Sequence, residues 1–156
     1  MLKINVVCVG KIKENYFTEA ICEYQKRLSK FCKLNIIEID EALQQGNNPK
    51  DIQKVKNTEA QSIIAKLQGY IICLEPNGKL VSSEDMATNL NELALTNSTI
   101  SFVIGGSNGI GDDVLKMANS CVSFGKITFP HQLFRVVLLE QIYRGFMINQ
   151  GATYHK

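Results

Sequence analysis

Short apolar runs alternate along this chain with longer segments whose apolar residues recur at helical spacing. The runs predict five strands, at residues 3–9, 34–39, 70–74, 99–104 and 121–124. The segments between and after them predict helices at 14–28, 50–67, 113–119 and 131–148, with another beginning at Ser82 or Ser83. This alternation predicts an α/β fold with a mainly parallel sheet, covered by helices on both faces. With 156 residues, we expect a single domain spanning 1–156.

The last predicted helix, 131–148, carries apolar residues in every direction and has no clean polar face. A helix that is apolar all round is buried on all sides. We therefore expect one side to pack on the sheet and the other on a second copy of the chain, giving a homodimer through this helix. The alternative is a helix enclosed entirely by its own chain.

A glycine-rich turn, FVIGGSNGIG at 102–111, follows the fourth predicted strand. No reading frame gives the dinucleotide fingerprint GxGxxG, and the phosphate loop GxxxxGK[ST] fails because Asp112 and Asp113 stand where it needs Lys and Ser or Thr. Two carboxylates at a helix start repel phosphate and compete for the same amides. The turn therefore suits a phosphate-free ligand such as S-adenosylmethionine, or else it serves chain reversal only.

Parallel sheets bind ligands outside the carboxyl ends of their strands. The candidate loops here are those that follow Leu74, Ile104 and Phe124.

Charge and cysteine content narrow the class of protein. The net charge is +2, but residues 1–33 hold seven basic and three acidic residues, which indicates either a phosphate-binding patch or a solvated helix face. The five cysteines form no CxxC pair, so we expect reduced, buried, unreactive thiols, no metal centre and a cytoplasmic protein. No apolar run approaches the ~18 residues of a membrane helix.

Several long motifs carry a family resemblance across essentially the whole chain. They are KINVVCVGKIKENY near the start, then ICLEPNGK, FVIGGSNG, SFGKITFPHQLFRVVLLEQIYR, and the terminal TYHK. With these motifs the chain resembles the SPOUT-class methyltransferases, and among them the RlmH family. Members of that family methylate N3 of a pseudouridine in 23S ribosomal RNA of the large subunit.

The resemblance implies a deep trefoil knot in the C-terminal part and a homodimer through the last helix. It implies S-adenosylmethionine as cofactor and assembled ribosomes as substrate, with no metal. By motif match, three loops would hold the cofactor, through Leu74, Gly105, Phe124, Gly125, Lys126, Ile127, Thr128 and Phe129. For Lys126 the alternative is a side chain that points outward to RNA. Leu74, Ile127 and Phe129 would form an apolar slot for adenine.

Three residues are candidates for catalysis by the same resemblance. Arg144 would hold a phosphate or a developing base anion, although it could simply pair with Glu140. His155 would accept or relay the N3 proton, and Tyr154 would stack on the base or orient it. Both could instead belong to a solvated tail, and in a dimer the tail could reach the partner's cofactor pocket.

Two residues earlier in the last helix are weaker candidates. We expect His131 to be structural or to face RNA, and Arg135 to reach an RNA phosphate.

Two rival functions are a ribosome-binding factor that kept the fold and lost the chemistry, and an oxidoreductase that binds NAD at the glycine turn. The failed dinucleotide fingerprint argues against the second.

Overall fold

A computed structural model describes all residues, 1–156, and shows five strands alternating with five helices. The strands are β1 (Lys3–Val9), β2 (Lys33–Ile39), β3 (Tyr70–Leu80), β4 (Thr99–Ile104) and β5 (Ser120–Ser123). The helices are α1 (Asn15–Leu28), α2 (Pro49–Ile64), α3 (Ser83–Thr96), α4 (Asp112–Met117) and α5 (His131–Asn149). The predicted α/β architecture is confirmed.

All strands pair in parallel, in the order β2-β1-β4-β3-β5. Alternate residues of the central strands enter opposite cores, as the two-residue period of a strand requires. Val6 and Phe102 pack on the side of α5, whereas Val7 and Val103 pack on the side of α2 and α4. Helices therefore cover both faces, and α5 lies between α1 and α3 on the first face.

The third strand departs from its predicted end. It continues to Leu80, past the Pro76-Asn77-Gly78 sequence that predicted a turn. Leu74 and Lys79 both pair with Val122, so residues 75–78 form an excursion within the strand. A Cβ on Gly78 would lie 2.7 Å from the carbonyl carbon of Cys121, so only glycine permits this close pairing.

The long helix α5 buries one side only. Its fully buried residues follow helical spacing towards the sheet and include Leu138, Leu139 and Ile142. The opposite side carries apolar residues that stay partly exposed and join neither core, namely Leu133, Val137, Met147 and Ile148. The chain by itself therefore does not enclose α5.

Arg135 corrects one expectation, because it does not face RNA. Its side chain is 1% exposed, and it donates hydrogen bonds to Glu38 Oε2 at 2.8 Å and to the Gly10 carbonyl at 3.1 Å. Its Nε has no hydrogen-bond partner. The residue lies on the sheet side of α5, where it ties that helix to the carboxyl ends of β1 and β2.

The cysteines divide by burial. Cys8, Cys32 and Cys73 are buried, and burial raises their thiol pKa values to about 11, 11 and 12. Burial was expected because Cys8, Cys73 and Cys121 lie in apolar runs; Cys121 departs from it, since it is partly exposed, and Cys22, outside those runs, is exposed. No helix has the length and hydrophobicity to cross a bilayer.

Candidate functional site

A cavity of about 430 Å³ opens where β4 and β5 end, beside residues 74–76, where the excursion within β3 begins. All eight residues that the resemblance assigns to the cofactor line it, as do Gly106, Gly109, Ile110 and His131. The loops predicted by the parallel-strand rule and the residues predicted by the motif match therefore lie around one cavity.

Two positions in the cavity wall require glycine for structural reasons. A Cβ on Gly105 would lie 2.7 Å from the carbonyl carbon of Gly109, so this turn closes only with glycine. Gly125 has a φ of +122°, which side chains rarely adopt. The Ser123 hydroxyl fixes the loop that follows β5, since it accepts from the Gly125 N–H at 3.1 Å and donates to the Gly125 carbonyl at 3.2 Å.

Three phenylalanines form part of the cavity wall. The Phe124 and Phe129 rings lie 5.5 and 6.1 Å from the ring of Phe134, a residue of α5. Ile127 does not join them, because its side chain is 78% exposed at the rim. Leu74 is already mostly covered by protein. The phenylalanines share the apolar lining of the cavity with the aliphatic residues Ile104, Ile110 and Val122.

The charged residues that line the cavity are Glu75 and Lys126, and His131, which also lines it, has its Nε2 3.6 Å from Glu41 Oε1. Asp112 and Asp113 occupy the first turn of α4, as the sequence predicted, but they do not line the cavity. Their carboxylates make that helix start unfavourable for a phosphate.

Glu59 is a buried carboxyl behind the glycine turn that sequence reasoning missed. It is 5% exposed, and its Oε2 accepts a hydrogen bond from the Ala42 N–H at 3.0 Å. Burial raises its pKa. A Cβ on Gly106 would meet Glu59 Oε1 at 3.2 Å. The available signal was the position of Glu59 within the apolar face of α2, four residues after Val55 and four before Ile63.

The three predicted catalytic residues come together around a single carboxylate, that of Glu140. Arg144 donates to Glu140 Oε1 from Nε at 2.8 Å and pairs with it through Nη2 at 2.7 Å. Tyr154 and Tyr24 donate their hydroxyl protons to Glu140 Oε2, at 2.9 and 2.6 Å. The Glu140 pairing considered for Arg144 is thus present and organises the whole cluster.

His155 joins this cluster through both ring nitrogens. Nδ1 lies 3.2 Å from Arg144 Nη1, and Nε2 lies 2.7 Å from Glu84 Oε1 on α3. A guanidinium can only donate, so Nδ1 accepts and Nε2–H donates to the carboxylate. The arrangement therefore selects a neutral imidazole, and the hydrogen bond from His155 lowers the pKa of Glu84.

Tyr154 is ordered by its neighbours and does not lie in a frayed tail. The Arg144 guanidinium lies 4.6 Å from the centre of its ring, and Tyr143 meets the ring edge-on at 5.1 Å. Partial burial and the hydrogen bond to Glu140 raise the pKa of Tyr154. It is therefore a proton donor at neutral pH and cannot act as the base.

The cavity and the Glu140 cluster are separate within one chain. None of Arg144, Tyr154 and His155 lines the cavity. Arg144 lies ten residues along α5 from the cavity residue Phe134, a distance of about 15 Å at 1.5 Å per residue. No group of three or more His, Cys, Asp or Glu side chains is placed to hold a metal ion.

Comparison with known proteins shows which family the chain belongs to. A family model described as "Predicted SPOUT methyltransferase" matches residues 2–155. The chain therefore belongs to the SPOUT methyltransferase family and is a methyltransferase that uses S-adenosylmethionine.

Solved structures are similar to it at low sequence identity. A probable methylase family protein from Haemophilus influenzae aligns with 100% of this chain and 72% of its own, at 9% identity and a TM-score of 0.56, which shows a shared fold. TrmJ from Z. mobilis aligns over 93% and 70% of the two chains, at 11% identity and a TM-score of 0.49. Lpg2936 from Legionella pneumophila, solved with the bound cofactor SAM, aligns over 90% and 65%, at 12% identity and a TM-score of 0.48.

Proposed function

We propose that this methyltransferase transfers its methyl group to N3 of a pseudouridine in 23S ribosomal RNA, on assembled ribosomes in the cytoplasm. The observation that carries the proposal is one cluster of side chains, in which Arg144 and Tyr154 contact Glu140 and His155 contacts Arg144. Arg144, Tyr154 and His155 are the residues that the RlmH resemblance assigns to catalysis.

The cavity suits S-adenosylmethionine as the methyl donor. Backbone groups of the loops at Gly105 and Gly125 would hold the cofactor, and Phe124, Phe129 and Phe134 would contact its apolar surface. The carboxylates of Asp112 and Asp113 at the start of α4 argue against a phosphate bound at the glycine turn. When bound, the cofactor supplies an electrophilic methyl group, and the chemistry needs no metal.

The Glu140 cluster would manage the proton at N3 of the base. His155 is neutral in this arrangement, so its Nδ1 can accept that proton once Arg144 turns towards the substrate. Arg144 stays charged and would stabilise negative charge developing on the base. Tyr154, which carries its own proton, would orient the base by stacking or by a hydrogen bond.

The two halves of the site would meet in a homodimer. The partly exposed apolar residues of α5 flank the Glu140–Arg144 pair and offer a surface for a second copy. The separation of about 15 Å along α5 supports a tail that serves the partner's cavity. The chain passes from β4 over β3 to β5 before entering α5, which supports the trefoil knot as part of this proposal.

Nucleoside mass spectrometry of ribosomal RNA tests this function, in cells with and without the gene and in reactions with purified protein, S-adenosylmethionine and ribosomes. We expect N3-methylpseudouridine only where the protein is present, and loss of the product with His155→Ala. An unchanged nucleoside profile despite cofactor binding would favour the non-catalytic ribosome-binding factor. The family assignment leaves the NAD-dependent oxidoreductase without support.

A further inference from the structure

The end of α1 forms a positively charged surface that the Glu140 cluster does not use. Residues 23–33 contain four cations, Lys26, Arg27, Lys30 and Lys33, against the single carboxylate of Glu23. The three lysines are exposed and make no ion pair in the structure. A concentration of charge of this kind attracts anions at the surface.

Arg27 is held in place at the centre of this surface. Its Nε donates to Glu23 Oε1 at 3.0 Å, and its guanidinium lies 5.5 Å from the ring centre of Tyr24 and 5.6 Å from that of Tyr143. The side chain is 40% exposed. Its two terminal nitrogens make no hydrogen bond to protein. The result is a planar, oriented fork with its outer donors open, the geometry that matches a phosphate.

This fork adjoins the proposed catalytic tail. Tyr143 lies under Arg27 and also meets the ring of Tyr154 at 5.1 Å. Tyr24, the other ring beside Arg27, shares the carboxylate Glu140 with Tyr154. The charge of Glu140 is already matched by Arg144, so it does not neutralise Arg27. A nucleotide strand that brings a base to Tyr154 and His155 would pass beside this fork.

We propose that Arg27 binds a backbone phosphate of the RNA strand that carries the target nucleotide, and that Lys26 and Lys30 add further charge. The inference rests on the proposed function, since it takes the substrate to be RNA. This surface would position the RNA strand, because phosphate contacts fix the register and orientation of a nucleic acid without reading its sequence. Arg27 is therefore a substrate-binding residue outside the cofactor cavity.

The test compares Arg27→Ala, Arg27→Lys and the control Lys54→Ala, a lysine exposed on α2 at the opposite face of the sheet. Affinity for ribosomes is measured across a salt series, together with methyl-transfer kinetics, cofactor affinity by calorimetry and mass by sedimentation. We expect Arg27→Ala to weaken ribosome affinity and raise KM about tenfold, with kcat and cofactor affinity unchanged. The slope of log affinity against log salt should fall by about one.

Arg27→Lys keeps the charge and loses the fork, so it should keep the salt slope while KM rises severalfold. The Lys54 control should match the wild type in every measurement. Wild-type KM and slope in Arg27→Ala would overturn the proposal. So would a drop in cofactor affinity or in dimer mass in both Arg27 variants, since Arg27 would then be structural. If the wild type itself methylated no ribosomal RNA, the proposed function would fail, and this would be visible without any Arg27 variant.

Discussion

At the scale of single residues, Glu140 does more than neutralise one cation. Its Oε1 takes Arg144, and its Oε2 takes the hydroxyl groups of Tyr24 and Tyr154. One carboxylate therefore fixes the positions of two proposed catalytic side chains and connects them to Tyr24 of α1, which is far away in the sequence. Arg144, in turn, donates to Nδ1 of His155 and so makes Nδ1 the acceptor nitrogen of that ring.

Glu140→Gln should lower methyl transfer by about a hundredfold, because an amide cannot accept from all these donors and the side chains would shift by ångströms. Cofactor affinity should not change, since Glu140 lies outside the cavity. Single-turnover kinetics and calorimetry measure the two quantities, with Glu19→Gln on the exposed side of α1 as the control. Activity equal to that of the control would remove Glu140 from the mechanism.

Glu59 gives the stability of the fold a defined dependence on pH. Its pKa is higher in the folded than in the unfolded chain because of burial, so the folded state binds the proton more tightly. Below the unfolded pKa, Glu59 is protonated in both states and does not reduce the free energy of unfolding. As pH rises from about 4 towards 7, the buried carboxyl must ionise, and the free energy of unfolding decreases.

Glu59→Gln removes that charge and keeps an oxygen for the Ala42 N–H. The variant should match the wild type near pH 4 and be more stable near pH 7, as measured by urea denaturation across the range. Glu92→Gln, exposed on α3, should show no such trend. A Glu59 variant less stable than the wild type at pH 7 would contradict the sign worked out above.

At the scale of secondary-structure elements, α3 begins with a complete capping box. The Asp85 N–H donates to Ser82 Oγ at 3.0 Å, and the Ser82 N–H donates to Asp85 Oδ2 at 2.9 Å. The helix also carries Glu84, the partner of His155. The start of α3 therefore contains both the capping box and the residue that contacts His155 of the catalytic cluster.

Ser82→Ala should cost about 1 kcal/mol of unfolding free energy, the usual value for a lost N-cap. Thermal denaturation should show a decrease of about 2–4 °C in Tm for a chain of this size. Ser62→Ala, within α2, is the matched control and should not lower the Tm, because alanine is a better helix former than serine in a helix interior. Equal melting of the two variants would show that the cap contributes little.

The elements differ in how well sequence predicts them, for physical reasons. The run at 3–9 was predicted with the bounds that β1 has, because a central parallel strand is mostly apolar. The end of β3 was not, since Pro76 and Gly78 are local turn signals, and the strand resumes its pairing with β5 after them, at Lys79 and Leu80. The burial of Arg135 depends on Glu38, 97 residues away, and no local pattern reports that.

The same distinction holds for the site. The predicted strand ends indicated the three loops, because parallel strands bring their carboxyl ends to one edge, and the family resemblance supplied the individual residues in them. The role of Glu140 depends on Tyr24, 116 residues earlier in the chain, and is visible only in the folded structure.

At the scale of the whole molecule, the outer side of α5 decides how two chains would meet. Val137 lies in the middle of its apolar residues and is partly exposed. Val137→Asp would place a charge in the proposed interface, so dimer affinity should fall at least tenfold and methyl transfer should fall with it. Sedimentation over a range of concentrations measures this, with Leu95→Asp on exposed α3 as the control. A monomeric wild type, or a Val137→Asp dimer of normal affinity, would contradict the proposed assembly.

The distance between cavity and tail within one chain has a genetic consequence if the tail acts across the dimer. A protein with a damaged glycine turn and a protein lacking residues 152–156 would each be inactive alone, yet a mixed pair would contain one intact pocket facing one intact tail. Co-expression of two dead alleles would then restore up to half of the normal sites per pair. A tail working within its own subunit would give no such rescue.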